Sequence, residues 1–446
     1  MRKKSATKSV ISRRDFLKSS ALAAAGLALP IIVPSSVLGA GAASNRITIG
    51  CIGVGRMGIG DMQEVMGFDE VRVVAVCDVD TNRVKYAQRL VEKKYSAQSR
   101  SGVYKGCATY KDYRELVARK DIDAVLIVTP DHWHALPSLA AARAGKDIFL
   151  QKPLTLTIEE GRVLSDTVRR YGRVFQVGSQ QRSDARFRFA CELVRNGRIG
   201  EVHAVKVGFG LDPSTGLCPT MPVPAELDYE MWLGPAPWAP YTEKRVHPQK
   251  GYSRPGWLRI SDYGSGMITG WGSHHMDIVH WGIGCEYGGP VEIKGWAEYP
   301  KDGLWDVHGA FSLEYTYANG VKVFCAGNDR NKQGIVFEGT EGWVYVKRGY
   351  IDAHPKSLLT STIGPNEIRL YKSNNHKANF LDCIKSRAKT VAPVEIGHRS
   401  CSVCLLGAIA MQLGRKLKWD PEREQFIKDA DANRMLSRPM RSPWHL

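Results

Sequence analysis

Residues 46–60 read RITIGCIGVGRMGIG, and residues 71–78 read VRVVAVCD. Ile47 to Ile52 is a short apolar run that ends in a glycine turn, the pattern of a buried strand. Gly53, Gly55 and Gly58 follow in G-x-G-x-x-G spacing, with Arg56 and Met57 inside the turn. Asp61 to Gly67 then carries a helical pattern. A second apolar run, Val71 to Cys77, ends on Asp78, 20 positions after the third glycine. Each part has a task in holding a dinucleotide. Gly53 permits the tight turn, Gly55 lets backbone approach a pyrophosphate, and Gly58 lets helix and strand pack closely. The helix N-terminus offers unpaired amides and a positive dipole end to the phosphates. Asp78 is placed to accept hydrogen bonds from ribose hydroxyls and repels a 2′-phosphate, which favours NAD; Arg83 nearby leaves NADP open.

Strands and helices alternate from there. Thr81 to Tyr95 and Tyr110 to Ala118 read as helices, and Ala124 to Val128 as a buried strand ending in Thr129-Pro130-Asp131-His132-Trp133-His134. A helix to Ala144 leads to a strand at Ile148 to Leu150, which ends in Gln151-Lys152-Pro153. The helix Ile158 to Tyr171 precedes a strand at Val174 to Val177, followed by Gly178 to Arg182. This rhythm predicts a doubly wound parallel sheet, a Rossmann domain over residues 43–180. Ligands of such sheets lie beyond the carboxyl ends of the strands. Thr129, Pro130, His132, His134, Gln151 and Lys152 are therefore expected on the cofactor side, and Gln181 and Arg182 toward a substrate.

Residues 181–446 read as a second, α+β domain. Strands are expected at Val202 to Phe209, Val291 to Tyr299, Val307 to Tyr317, Val321 to Ala326, Ile335 to Glu338 and Trp343 to Lys347, with a tight hairpin at 339–342. Helices are expected at Phe187 to Asn196, His376 to Ser386 and Cys401 to Lys416. The stretch 211–265 is a long loop rich in aromatics, among them Trp232, Trp238, Tyr241, Tyr252, Trp257 and Tyr263. Aromatics argue for order there, and aromatic faces suit sugar rings. A large open sheet needs cover for its bare face, so a homo-oligomer, dimer or tetramer, is expected. The terminal SRPMRSPWHL has no periodicity and is suited to wrap a neighbour.

The N-terminus reads as an address. Ser12-Arg13-Arg14-Asp15-Phe16-Leu17-Lys18 has the form of a twin-arginine signal, followed by an apolar stretch too short to serve as a membrane anchor. Ala40-Gly41-Ala42 is a small-x-small cleavage site, so residues 1–42 are set apart from the fold and a periplasmic or otherwise exported protein is expected. The export machinery is the implied partner. The formal net charge of +17 is partly due to this segment. The remaining excess is spread without a dense basic run, and no nucleic-acid motif accompanies it. Ten cysteines remain. Cys51, Cys77, Cys325 and Cys383 lie in apolar or periodic runs, and Cys401 with Cys404 sits in a helix pattern, so core packing is expected of them.

On the glycine turn, TPDHWH, AGKDIFLQKP and GSGMITGWGSHHMDIVHWG, the chain resembles the Gfo/Idh/MocA oxidoreductases. The resemblance covers nearly all of the chain after residue 42. It implies an NAD(P)-dependent enzyme acting on a hydroxyl of a sugar, sugar alcohol or glycoside, with substrate between a nucleotide-binding domain and a mostly antiparallel open sheet. The family usually has Glu-Lys-Pro where this chain has Gln151-Lys152-Pro153. By resemblance Lys152 touches the substrate hydroxyl and the nicotinamide ribose, and His274 is the catalytic histidine. The family's aspartate, four residues before that histidine, falls on Gly270. Thr269, Asp262 and Tyr263 are candidates to fill the gap, and His275 is the adjacent alternative to His274. Histidine suits proton transfer near neutral pH. Adjacent histidines rarely share one ion, so no metal is expected at His274, His275 and Asp277. Some relatives hydrolyse glycosides through oxidation, elimination, hydration and reduction with no net use of NAD, which is the alternative chemistry.

Overall fold

Six strands make the first sheet: β1 (Ile47–Ile52), β2 (Val71–Cys77), β3 (Ala108–Tyr110), β4 (Ala124–Ile127), β5 (Asp147–Leu150) and β6 (Phe175–Val177). The computed structural model describes residues 46–100 and 104–446. The expected address segment, residues 1–42, lies outside them. All neighbours in the first sheet are parallel, in the order β3-β2-β1-β4-β5-β6. The order reverses beside β1, which opens a crevice at the carboxyl ends of β1 and β4. The strands are short and buried on both faces, with β4 and β5 buried throughout. This is the doubly wound sheet that the alternation implied. Strand β3 was expected as the start of a helix; it is a three-residue edge strand, half-buried, with no apolar run to mark it.

The second sheet has nine strands: β7 (Val202–Phe209), β8 (Glu292–Ala297), β9 (Phe311–Thr316), β10 (Lys322–Gly327), β11 (Gly334–Gly339), β12 (Trp343–Lys347), β13 (Tyr350–His354), β14 (Leu417–Asp420) and β15 (Gln425–Phe426). All of its pairs are antiparallel except β7 with β10. The hairpin at 339–342 closes β11 onto β12, with Gly339 N donating to Gly342 O at 2.9 Å. Strands β13 to β15 carry mixed exposed and buried residues and gave no apolar signal.

Helices Gly272–Ile283 and Val394–Leu413 cover one face of this sheet. They lie close because Gly282 and Gly407 face it: an added Cβ would meet the Phe337 ring at 2.5 Å and Tyr315 Oη at 2.1 Å. Phe337 and Tyr315 are fully buried by this packing, and the Phe337 ring contributes about 1.5–3 kcal/mol. Val394–Leu413 is apolar and long enough to cross a bilayer, yet 83% of its most apolar window is buried in the protein. It holds Cys401 and Cys404, and the ten cysteines are free thiols.

The stretch 211–265 is ordered around its own cluster, in which Leu227, Tyr229, Trp232, Tyr241, Val246 and Tyr263 are buried. It crosses back to the first sheet: Thr81 N donates to Glu226 O at 3.0 Å, and Asp228 N to Val79 O at 2.9 Å. Trp232, Tyr241 and Tyr263 are thus core residues, while Trp238 stands exposed. The C-terminal tail docks on its own chain: Arg441 Nε donates to Gly234 O at 3.1 Å, and the Trp444 ring meets Trp133 edge-on at 4.8 Å.

Candidate active site

A cavity of about 460 Å³ opens at the carboxyl ends of β1, β4 and β5. One end is built from the glycine turn. Gly53 has φ +80°, and a Cβ there would lie 2.6 Å from Val128 O; a Cβ on Gly58 would lie 2.0 Å from Gly53 O. Gly55 is the N-cap of helix Arg56–Val65, with no side-chain cap and no acid in its first turn. The first-turn amides keep their hydrogen-bonding capacity for an anion. A Cβ on Gly55 would meet nothing within 4 Å, so backbone faces open space at this point. Asp78 Oδ2 accepts from Val54 N at 2.8 Å and its Oδ1 from Asp80 N at 3.1 Å, tying the acid to the turn. Burial pushes its carboxyl up, and His247 opposes this. Gly53, Gly55, Arg56, Met57 and Asp78 all line the cavity. The cradle, the free helix end and the acid fit the pyrophosphate and ribose of NAD. Gly58 serves by packing and does not line the cavity.

Arg83 lies beside Asp78, but its guanidinium donates to Pro248 O at 2.7 Å and sits over the Tyr252 ring at 4.6 Å. It anchors the long loop and also lines the cavity, so a 2′-phosphate would have to compete with these contacts.

The other end holds side chains from distant parts of the chain. Thr129, Pro130, His134, Gln151, Lys152, Gly270 and His274 line it. His134 pins two strand-end loops together, its Nδ1 2.6 Å from Pro153 O and its Nε2 3.0 Å from Thr129 O. Burial lowers its pKa to about 4, so the ring is neutral and donates to one of the two carbonyls. Gln151 Nε2 donates to Asp61 Oδ2 at 2.7 Å, and Asp61 Oδ1 pairs with the buried Lys377 at 3.1 Å. This accounts for glutamine where the family has glutamate: a carboxylate at 151 would face the Asp61 carboxylate at hydrogen-bond distance. Burial lowers the pKa of Lys152, and the nearby Asp131 raises it. His274 is held well below the ordinary range by burial, then by the charges of Lys152 and Arg348. Its Nδ1 is buried without a hydrogen-bond partner. A neutral imidazole beside a lysine can accept a proton from a hydroxyl.

Five further expected residues lie elsewhere. His132 turns away, Nε2 3.0 Å from Trp232 O, and lines a separate cavity of about 480 Å³. Tyr263 is fully buried between the rings of His132 and Trp232. Arg182 is locked in a buried pair with Asp277 at 2.7 and 2.9 Å, and also bonds Glu286 at 2.8 Å. Gln181 is buried with Nε2 3.5 Å from His275 Nδ1. His275 stacks on Trp271 at 5.5 Å, about one helical step away from His274. Asp277, bound to Arg182, is also removed from any shared role with the two histidines. Of the gap candidates, Thr269 donates to Gly266 O at 3.4 Å and Asp262 lines the second cavity.

Trp257, one of the loop aromatics expected to suit a sugar ring, lines the cavity; Asp131, Arg254, Trp271 and Arg348 also line it and were not singled out from sequence. Asp131 was readable, being the acid of a strand-end motif. Arg348 sits between β12 and β13, where only the folded topology brings it near β5.

The profile described as "Oxidoreductase family, NAD-binding Rossmann fold" (Gfo/Idh/MocA) matches residues 47–179, and "Oxidoreductase family, C-terminal alpha/beta domain" matches 206–446. A twin-arginine translocation pathway signal matches residues 10–30, which indicates twin-arginine export. The "Uncharacterized oxidoreductase YrbE" of Bacillus subtilis is 30% identical over 164 residues, 37% of this chain and 44% of that protein. The alpha-N-acetylgalactosaminidase of Shewanella oneidensis is 31% identical over 208 residues, 43% of this chain and 44% of that protein. The chain thus spans less than half the length of these curated relatives. The aldose-aldose oxidoreductase of Caulobacter crescentus, solved with glycerol, shares the fold with TM-score 0.60 at 17% identity, covering 84% of this chain and 99% of that one.

Proposed function

The chain belongs to the Gfo/Idh/MocA oxidoreductase family, and from that premise we propose that it is an exported enzyme oxidising a hydroxyl of a sugar, sugar alcohol or glycoside. The observation that carries this reading is the convergence of Lys152 and His274 on the cavity that also holds the glycine turn. The nucleotide half is taken as residues 43–180 and the substrate half as 181–446. NAD, when bound, supplies the hydride acceptor. Gly53, Gly55 and the first-turn amides would hold its phosphates, and Asp78 its ribose. The commitments of Arg83 favour NAD over NADP. Lys152 holds the reacting oxygen and stabilises its developing negative charge, and neutral His274 takes the hydroxyl proton. Trp257 and Trp271 line the substrate end, where Trp271 is stacked by His275 and carries Arg348 over its ring.

A second reading is redox-neutral glycoside hydrolysis, favoured by the similarity to the alpha-N-acetylgalactosaminidase. The same residues would oxidise a ring hydroxyl, and the enzyme would return the hydride after elimination and hydration. A panel of monosaccharides, disaccharides and aryl glycosides separates the two. Growth of reduced-nicotinamide absorbance supports net oxidation, and release of sugar or aglycone without it supports hydrolysis. Neither signal across the panel would overturn the proposed substrate class.

A further inference from the structure

The reacting end contains a lysine and a histidine, yet the position where the family resemblance places an aspartate is Gly270. A Cβ there would meet nothing within 4 Å, so no neighbouring side chain fills the space. The cavity has a carboxylate nonetheless, on the opposite wall. Asp131 lines it, 4% exposed, at the start of the 3-10 turn Asp131–Trp133. We propose that Asp131 is the acid of this centre, a positioning residue that keeps the half-buried Lys152 an ammonium ion from the nucleotide-binding half of the molecule. The proposal rests on the oxidoreductase reading above and deepens it.

Topology brings the two residues to neighbouring strand ends on one cavity. Ile127 of β4 pairs with Leu150 of β5 at the carboxyl end of the sheet. Asp131 follows the first within one short loop, and Lys152 follows the second. The neutral His134 ring lies between the Thr129 and Pro153 carbonyls and donates to one of them, filling the space between the two loops. Gly264, from the long loop, provides clearance: a Cβ there would come within 3.3 Å of Asp131 Oδ2.

The surrounding charges make the acid necessary. Burial, then the charges of Arg254 and Arg348, disfavour the Lys152 proton; Asp131 favours it, and Asp61 does so less strongly. Glu160 is the other charged group facing Asp131. Burial pushes the Asp131 carboxyl up, and the Lys152 charge opposes this. An unprotonated amine could not stabilise an oxygen that is gaining negative charge. Removing the carboxylate should therefore release the Lys152 proton at lower pH, with no change in the fold.

The test uses the full mature protein and needs no turnover. Competitive acetylation of Lys152 across pH, read by mass spectrometry, gives its apparent pKa. In Asp131→Asn this should fall by about 1–3 pH units, the usual effect of losing an adjacent opposite charge. Gly264→Ala, which crowds the carboxylate without removing it, should lower it less, and serves if Asp131→Asn does not fold. In the active enzyme the alkaline limb of kcat should move to lower pH by a similar amount, while NAD affinity changes less than threefold. Adding Gly270→Asp to Asp131→Asn should move the limb back. A Lys152 labelling curve unchanged in both Asp131→Asn and Gly264→Ala would overturn the inference. Failure of the oxidoreductase reading would show instead as an unmutated protein without turnover.

Discussion

The two ends of the cavity are made of different material. The cofactor end is backbone: a turn at Gly53, a close approach at Gly58 and a helix Arg56–Val65 left uncapped at Gly55. Helix Ile158–Arg170 from the same sheet shows what was withheld, since Thr157 and Glu160 there form a complete capping box, worth about 1 kcal/mol. The reacting end is side chains: Asp131 after β4, Lys152 after β5, His274 on helix Gly272–Ile283 and Arg348 between β12 and β13. A backbone site is damaged by adding an atom, and a side-chain site by removing one.

That contrast can be broken or sharpened by substitution. Lys152→Ala should abolish turnover, with folding and NAD affinity retained; loss of only a few-fold in kcat would remove Lys152 from the chemistry. His274→Ala should lower kcat on the order of 10²–10⁴, and His275→Ala far less, because His275 stacks on Trp271 away from the cavity. A larger loss from His275→Ala would exchange their roles. Gly58→Ala adds one methyl group against Gly53 O and should cost about 1–3 kcal/mol, measured by denaturant unfolding, together with weaker NAD binding. Asp78→Ala should weaken NAD binding roughly tenfold or more and narrow its advantage over NADP; titration of apoprotein with both nucleotides reads this.

Gln151→Glu should have the smallest effect, and one that depends on pH. It sets a carboxylate against Asp61, so one of the two acquires a raised pKa in the folded state. The folded protein then binds more protons than the unfolded chain, and stability rises as pH falls. The melting temperature of the variant should lie below that of the parent at pH 8 and approach it at pH 5.

The same contrast explains how far the sequence could be read. Gly53, Gly55, Gly58 and Asp78 act through local spacing, and a local motif is visible in one chain. Lys152 and His274 were visible as a strand-end lysine and a helix histidine. Arg182 and Tyr263 show the limit: position after a strand suggested a substrate face for Arg182, and a place in the aromatic loop suggested one for Tyr263, but Asp277 and Trp232 pull them into the interior. Those partners lie far along the chain, and only the packed helix and loop bring them close. Strands β13 to β15 were missed for a related reason, since they are held by pairing with neighbours and not by an apolar run of their own.

The cavity is expected to carry NAD through export and to use it there. Outside the cytoplasm no maintained NAD pool replaces what is released, so the cofactor should be loaded before export and held. The direct measurement is to purify the exported protein without added nucleotide, denature it and quantify NAD(H) in the supernatant. The account expects close to one NAD(H) per chain. Empty sites, together with steady release of NADH into solution during assay, would contradict it.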